Sequence, residues 1–164
     1  MIALPTTHIG TEGFSAFRIS PSLSGWPLDP FLHIEFRNYG HVQLPPRPKA
    51  GRTCIHYVFE DSPSSLLIRN NLGESHVIAP GMGLISFTGR GFIESLTASN
   101  PDKGCKTLLA AFNLLPELEL NPAKTTRIES VSNGVIWGEG TPYPSPTTAS
   151  ISFVRLAAGE TREF

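Results

Sequence analysis

The residue of this 164-residue chain best placed for chemistry is a single carboxylate in a predicted strand. Residues 92–96 follow a glycine corner, Gly89-Arg90-Gly91, and have the composition of a strand. Because side chains alternate between the two faces of a strand, Glu94 shares a face with Phe92 and Leu96. If that face is interior, the carboxylate needs a cation or hydrogen-bond donors, since an unpaired buried charge is costly. Glu94 is therefore the candidate around which a site would form.

The elements that must position this strand are short and bounded by turns. Fifteen glycines and fifteen prolines interrupt apolar runs that show almost no helical period, which predicts an all-β fold. Three prolines in residues 44–49 lack the N–H of a central strand and favour an edge or an opening. The long apolar run 107–114 is predicted to be central. Strands are predicted over residues 14–19, 54–60, 66–69, 75–78, 84–87, 92–96, 107–114, 135–138 and 149–156, and residues 27–36 lead from a loop into a further strand.

Length and charge restrict the class of protein. An apolar content of 40% over 164 residues is enough for one sizeable core. A net charge of -1 gives no field that would attract nucleic acid or a membrane surface. Pro5 precedes any signal-peptide core, and no apolar run approaches a membrane span. Cys54 and Cys105 lack the spacing of a disulfide framework or a zinc site, so we expect free thiols in a soluble, cytoplasmic protein.

Several segments resemble the pirins, a two-domain family of the cupin β-barrels. The similar segments follow one another in a consistent order and include residues 28–32, 57–60, 78–81, 88–95 and 112–114. The resemblance implies a cupin β-barrel, or jelly roll, over residues 1–125. Residues 126–164 resemble the first strands of the second barrel of the family. We therefore expect a few extra C-terminal strands from an incomplete second unit, packed on the barrel or on a dimer partner.

The metal ligands of the family are the main departure from the resemblance. Similar pirins hold one metal ion with a His-x-His pair and a His-x-Glu pair, and these positions correspond here to Arg47, Lys49, Glu94 and Leu96. Arginine and lysine are cations and leucine has no donor atom, so three of the four positions cannot bind a metal. We predict no metal and no cofactor at this position. The sequence leaves open a metal site rebuilt from Glu94 with one of His33, His41 and His56.

The resemblance also brings the proline-rich segment beside the strand of Glu94. Arg47 and Lys49 would then face Glu94 across the former metal position. One interpretation is a charge-balanced plug that holds a degenerate barrel together. The other is a pocket in which Arg47 or Lys49 polarises a carbonyl or carboxylate and Glu94 moves a proton.

Four further residues are candidate contacts for a substrate: Phe36, Thr53, Tyr57 and Ser86. Alternation along the strand at 54–60 places Thr53 and Tyr57 on the inward face. The same alternation places Cys54 and His56 on the outward face.

Three functions remain as alternatives. The first is a metal-independent, cofactor-free enzyme that acts on a small carbonyl- or carboxylate-bearing molecule as an isomerase, cyclase or lyase, with Glu94, Lys49 and Arg47 as catalytic residues. The second is a non-catalytic binding or regulatory module, because some pirins are interaction partners of other proteins. The third is a metal-dependent, quercetinase-like dioxygenase, which the ligand changes oppose. Open strand edges in the second unit favour a homodimer.

Overall fold

The computed structural model describes residues 6–21, 31–113, 121–128, 135–137 and 151–152. The chain divides into two units, Met1–Ser130 and Val131–Phe164. Among the described residues, no helix combines the length and the hydropathy needed to cross a membrane. Strands β1 to β7 are Thr7–Thr11, Phe14–Ile19, Phe31–Tyr39, Leu44–Lys49, Arg52–Val58, Leu66–Asn70 and Ser75–Ile78. Strands β8 to β13 are Gly83–Phe87, Phe92–Ala98, Cys105–Asn113, Lys124–Ile128, Val135–Trp137 and Ile151–Ser152.

In the part of the first unit that the structure describes, the strands form two antiparallel sheets. The larger has seven strands in the order β1-β2-β3-β10-β5-β8-β11, and the smaller has four in the order β4-β9-β6-β7. The apolar run predicted to be central is β10, which pairs with β3 and β5 in the middle of the larger sheet. The proline-rich segment is β4, at the edge of the smaller sheet. Both predictions are confirmed.

One apolar cluster joins the two sheets. Its members come from strands of both, so the sheets pack face to face and bury these side chains between them. They are Phe14, Ala16, Tyr39, Leu44, Val58, Leu66, Ile68, Ile78, Leu84, Leu96, Ala98 and Cys105. Interior side chains outside this cluster include buried polar ones, among them Glu35, Arg37, His56, Ser86 and Glu94. The interior of the first unit is thus divided between an apolar and a polar region.

β1 and β11 were not predicted from the sequence, and the segment of β4 was predicted only as an edge or an opening. β1 and β11 are rich in threonine and have no apolar face, so periodicity did not reveal them. β11 pairs with β8 along all five of its residues, and the predicted domain boundary at 125/126 falls inside it.

In the second unit, β12 and β13 form a two-stranded antiparallel sheet. How this unit packs stays a prediction.

Glycine is required at Gly89, in the corner before β9. Its backbone has a φ of 45°, and a β-carbon there would clash with the carbonyl oxygen of Asn121. Gly73, in the β6–β7 turn, has a φ of 86°, but a β-carbon there would meet no atom within 4 Å. We expect Gly73→Ala to lower the free energy of unfolding by about 1 kcal/mol and Gly89→Ala by about 3 kcal/mol. Urea denaturation measures both, and equal losses would contradict the steric argument.

Candidate functional site

Strand β9 carries Glu94 into the interior. Phe92, Glu94 and Leu96 are all buried, whereas Ile93 is 44% exposed on the other face. The predicted alternation of this strand is confirmed. Only 1% of the Glu94 surface remains exposed, so the carboxylate depends on neighbouring groups rather than on bulk water.

Lys49 supplies the cation. β4 pairs with β9 so that Lys49 lies opposite Phe92. From there its Nζ reaches to 3.2 Å from Glu94 Oε1, and its side chain is 10% exposed. The predicted pairing of Lys49 with Glu94 is therefore present in the structure.

Arg47 does not share this role. Its backbone is opposite Glu94, yet the residue is exposed, and among the described residues no ion pair joins the two side chains. The register of β4 shifts between Leu44 and Arg47, where Pro45 and Pro46 interrupt the pairing with β9. The prediction that Arg47 faces Glu94 inside the barrel is wrong.

The predicted alternation of β5 is also wrong. His56 faces the interior, with Nε2 3.6 Å from Glu94 Oε1, and Cys54 Sγ lies 3.9 Å from Lys49 Nζ. Thr53 and Tyr57 therefore point to the opposite face of the sheet and do not line the Glu94 site. β5 is buried on both faces from Thr53 to Val58, so the sequence shows no polar alternation from which its orientation could be read.

The other two predicted contacts lie on different faces. Ser86 pairs with Cys54 across β5 and β8, and so faces the same interior side as the thiol. Phe36 is 44% exposed on the outer face of the larger sheet. It lines a separate cavity of about 250 Å³ together with Phe17 and Phe59. Ser86 is thus near the site, and Phe36 is not part of it.

Glu94 is ionised at neutral pH. Burial alone would raise its pKa, but the His56 ring and the Lys49 ammonium lower the pKa to about 2. Burial lowers the pKa of His56 despite the attraction of Glu94, so the imidazole is neutral. The charge of Glu94 is therefore balanced by Lys49, and His56 contributes a neutral ring that can donate or accept one proton.

The thiol of Cys54 is held in its protonated form. Burial raises its pKa, and the opposing effect of Lys49 does not overcome this. A buried, protonated thiol is a poor nucleophile. Cys54 therefore contributes packing beside Lys49 rather than reactivity.

A second charge cluster, centred on the buried Glu35, lies on β3 and the neighbouring strand β2. Arg37 Nε donates to Glu35 Oε2 at 2.6 Å, and Arg18 Nη2 lies 2.6 Å from Glu35 Oε1. Arg37 Nη1 donates to the Tyr39 hydroxyl at 3.0 Å, and His33 Nε2 lies 3.7 Å from Glu35 Oε1. Burial would raise the pKa of Glu35, yet Arg37 and Arg18 lower it, and burial lowers the pKa of His33 to about 4. The cluster holds one ionised carboxylate, two cations and a neutral imidazole.

Some buried polar atoms of the Glu94 site have no hydrogen-bond partner among the described residues. Among the described residues, no hydrogen bond reaches Glu94 Oε2 or His56 Nδ1, although both atoms are buried. Native structures leave few buried polar atoms without a partner, and each such atom needs an explanation. Glu94 Oε1 and His56 Nε2 also lack a hydrogen bond among the described residues, and Oε1 lies only within ion-pair distance of Lys49 Nζ and His56 Nε2, at 3.2 and 3.6 Å.

The metal implied by the resemblance does not fit these residues. Lys49 places an ammonium 3.2 Å from the carboxylate that would have to ligate the ion, and Leu96 has no donor atom. Of the three histidines considered for a rebuilt site, His56 lies beside Glu94, with Nε2 3.6 Å from Oε1. His33 contacts Glu35 and His41 is exposed, so neither adds a further ligand. In the part of the chain that the structure describes, no three His, Cys, Asp or Glu side chains are grouped to hold an ion. No chemistry through a metal follows from this donor set.

No protein-family model and no curated protein matches the chain. Solved structures do match it. Quercetin 2,3-dioxygenase from Acinetobacter baumannii is 18% identical with a TM-score of 0.70, and the match covers 91% of this chain and 60% of that one. GK1651 from Geobacillus kaustophilus is 14% identical with a TM-score of 0.66, covering 87% and 60%. The bacterial pirin YhhW from Escherichia coli, in complex with nickel(II), is 12% identical with a TM-score of 0.66, covering 79% and 57%.

These similarities show the fold. The chain is all-β and has the cupin β-barrel fold of the pirin-like proteins, as the resemblance implied. It spans 60% of the length of GK1651 and of the quercetin 2,3-dioxygenase. At the positions that the sequence analysis matched to the pirin metal ligands, this chain carries Arg47, Lys49, Glu94 and Leu96.

Proposed function

We propose that this protein is a metal-independent enzyme with a cupin fold, acting on a small carbonyl- or carboxylate-bearing molecule as an isomerase, cyclase or lyase. The observation that carries the proposal is the incomplete bonding of Glu94, whose Oε2 receives no hydrogen bond from the described residues. A plug that served only to balance charge would be most stable with both oxygens bonded. An open acceptor beside an ammonium and a neutral imidazole is instead suited to a ligand.

Lys49 and Glu94 have complementary roles in this mechanism. The Lys49 ammonium stabilises negative charge that develops on a substrate oxygen, and Glu94 accepts a proton from the adjacent carbon. Because its pKa is about 2, Glu94 acts as an acceptor and not as an acid at neutral pH. Glu94, protonated in this step, then returns the proton to the substrate, and the neutral His56 holds the carboxylate in position.

Movement of Lys49 would couple binding to catalysis. Cys54, His56 and Glu94 are between 0% and 1% exposed, whereas the Lys49 side chain is 10% exposed, so a ligand reaches Glu94 only when Lys49 shifts. When the ammonium turns toward a substrate oxygen, Glu94 loses part of the attraction that lowers its pKa. Burial, which raises the pKa, then makes Glu94 a stronger base.

Hydrogen exchange at carbon tests the proposal. Protein treated with a chelator is incubated in D₂O with a panel of 2-keto acids and hydroxyketones, and proton NMR follows loss of the signal next to the carbonyl. We expect Glu94→Gln and Lys49→Met to slow exchange by about 10²- to 10⁴-fold. Lys103→Met, in an exposed loop, is the matched control and should exchange like wild type.

Two outcomes would count against the enzyme. If Glu94→Gln exchanged as fast as wild type, Glu94 would not be the base. If no member of the panel exchanged, the second candidate, a non-catalytic binding module, would be favoured. The tight burial of the site and the exposed Phe17 and Phe36, at 50% and 44%, are the observations that support this alternative. The homodimer and the cytoplasmic location stay predictions.

A further inference from the structure

The outer face of the larger sheet carries an aromatic cavity that the Glu94 site does not use. It is the cavity of about 250 Å³, and Phe17, Phe36 and Phe59 form its walls. Phe17 lies directly opposite Phe36 across β2 and β3, so the two rings project from the same face. The rings of Phe36 and Phe59 are nearly parallel, with 9° between their planes and 6.3 Å between their centroids. The walls therefore offer flat surfaces on which another aromatic ring can stack.

Neighbouring rings hold two of these walls in place. Tyr57 meets the ring of Phe59 edge to face, at a centroid distance of 5.8 Å, and His8 lies 5.1 Å from the ring of Phe17. Phe17 and Phe36 nevertheless keep about half of their surface exposed. Exposed rings that are already fixed in position lose little freedom when a ligand stacks on them.

A polar row borders the aromatic walls. Ser15 pairs with Asn38, and Asn38 pairs with Lys106, so the three side chains share the outer face and line the same cavity. Arg37 and Thr107 also border the cavity. Alternation along β3 and β10 directs their side chains to the interior face, so their backbones form this part of the wall.

Lys106 makes the cavity suited to an anion. Among the described lining residues it is the one charged side chain that projects from the outer face, and none of them is an aspartate or a glutamate. Its Nζ donates to Asp61 Oδ2 at 3.1 Å, in a bridge between two side chains that are both more than half exposed. Solvent screens such a bridge, and an ammonium has three N–H groups. Lys106 can therefore bond a ligand carboxylate beside Asp61 or in its place.

The size of the cavity limits the ligand. Apolar cavities of about 150 Å³ take up a benzene molecule. A cavity of about 250 Å³ therefore has room for one aromatic ring and a carboxylate attached to it.

We propose that the outer cavity binds a small aromatic carboxylate. The ring of this ligand stacks against Phe17, Phe36 and Phe59, and its carboxylate accepts a hydrogen bond from the Lys106 ammonium. Phe36 projects from the outer face of the larger sheet, whereas Glu94 is buried in the interior. The inference thus adds a second site to the one in the proposed function, and it requires no turnover.

Three matched compounds test the inference in a titration followed by the amide signals of protein NMR spectra. Benzoate has the ring and the charge, cyclohexanecarboxylate has the charge without an aromatic ring, and benzyl alcohol has the ring without the charge. We expect benzoate to bind about fivefold more tightly than cyclohexanecarboxylate, because stacking is lost, and about threefold more tightly than benzyl alcohol. The largest shifts should fall on Asn38, Lys106 and Phe59.

Single variants assign the two contacts. Phe36→Ala should weaken benzoate and benzyl alcohol by about tenfold, since it removes a wall. Lys106→Met should weaken benzoate to the level of benzyl alcohol. Asp61→Asn releases the ammonium and should strengthen benzoate by about twofold without changing benzyl alcohol.

Lys103→Met is the matched control, because it removes an exposed cation that does not line the cavity, and it should bind like wild type. Phe36, Lys106 and Asp61 are exposed, so their replacement should leave the fold intact, and thermal denaturation checks this.

Four outcomes would overturn the inference. They are equal affinity for benzoate and cyclohexanecarboxylate, no binding at millimolar concentration, shifts confined to residues outside the cavity, and a benzoate affinity that Lys106→Met leaves unchanged. Sedimentation supplies a fifth: if Phe36→Ala converted a dimer to a monomer, the cavity would hold a second copy of the chain instead. The carbon-exchange assay reports on Glu94, so failure of either proposal leaves the other intact.

Discussion

Replacement of Lys49 by methionine should lower the free energy of unfolding at pH 7 by about 3–5 kcal/mol, which is the usual effect of removing one partner of a buried ion pair. Glu94 is 1% exposed, and Lys49 Nζ is its nearest cation at 3.2 Å. Without the ammonium, the variant must fold around an uncompensated carboxylate or take up a proton. Urea denaturation at constant pH measures the loss.

The pH dependence of this loss follows from the sign of the pKa shift. In the native protein the pKa of Glu94 is lowered from 4.5 to about 2, so its stabilising contribution is fully present above pH 4.5 and is lost as pH falls toward 2. In Lys49→Met, one of the two groups that lower the pKa of Glu94 is absent while burial still raises it, so Glu94 takes up a proton at a higher pH than in wild type and loses its buried charge. The difference between wild type and variant should therefore shrink as the pH is lowered from 7 to 4.

Two further variants make the argument specific. Arg47→Met removes a neighbouring but exposed cation and should change the free energy of unfolding by less than about 0.5 kcal/mol. Adding Glu94→Gln to Lys49→Met removes the unpaired charge and should recover part of the stability. Equal losses for Arg47→Met and Lys49→Met would contradict the role of Lys49 as the cation that balances Glu94.

Loss of Arg37 should have the second large effect. Its guanidinium is 5% exposed and bonds both Glu35 and the Tyr39 hydroxyl, so Arg37→Met leaves two buried oxygens with fewer partners. We expect a loss of about 2–4 kcal/mol in the free energy of unfolding, with Arg18 still balancing the charge of Glu35.

Arg18 provides the matched comparison. It contacts the same carboxylate, but its side chain is 37% exposed, and solvent screens the interaction. Arg18→Met should therefore lose only about 1 kcal/mol in the same urea titration. If Arg18→Met lost more than Arg37→Met, burial would not be the factor that determines the strength of this cluster.

The sequence allowed prediction of Glu94 but not of its imidazole neighbour. β9 has one buried and one partly exposed face, so the alternation of Phe92, Glu94 and Leu96 could be read directly. β5 is covered on both faces, and there the choice between His56 and Tyr57 as the interior residue depends on pairing with β10 and β8. That pairing is a tertiary property, which local periodicity does not contain.

The prediction that Arg47 faces Glu94 was wrong for a different reason. The correspondence with pirin ligands gave the right backbone position, opposite Glu94, but the two prolines before it shift the register, and the side chain is exposed. The Glu35 cluster, in contrast, had a signal that was not used. Glu35, Arg37 and Tyr39 are two residues apart, but the predicted strand ended at residue 36, whereas the observed strand continues to Tyr39. Extending the strand would have placed the opposite charges of Glu35 and Arg37 on one face.

The prolines of β4 also limit how the protein can associate. Pro45, Pro46 and Pro48 make up half of this edge strand, and none has an N–H to offer to a neighbouring chain. A foreign strand that approached this edge would find few donors, so growth of the four-stranded sheet into a fibril is blocked at β4. The segment that lines the charged site with Lys49 thus also protects the folded protein from aggregation along that edge.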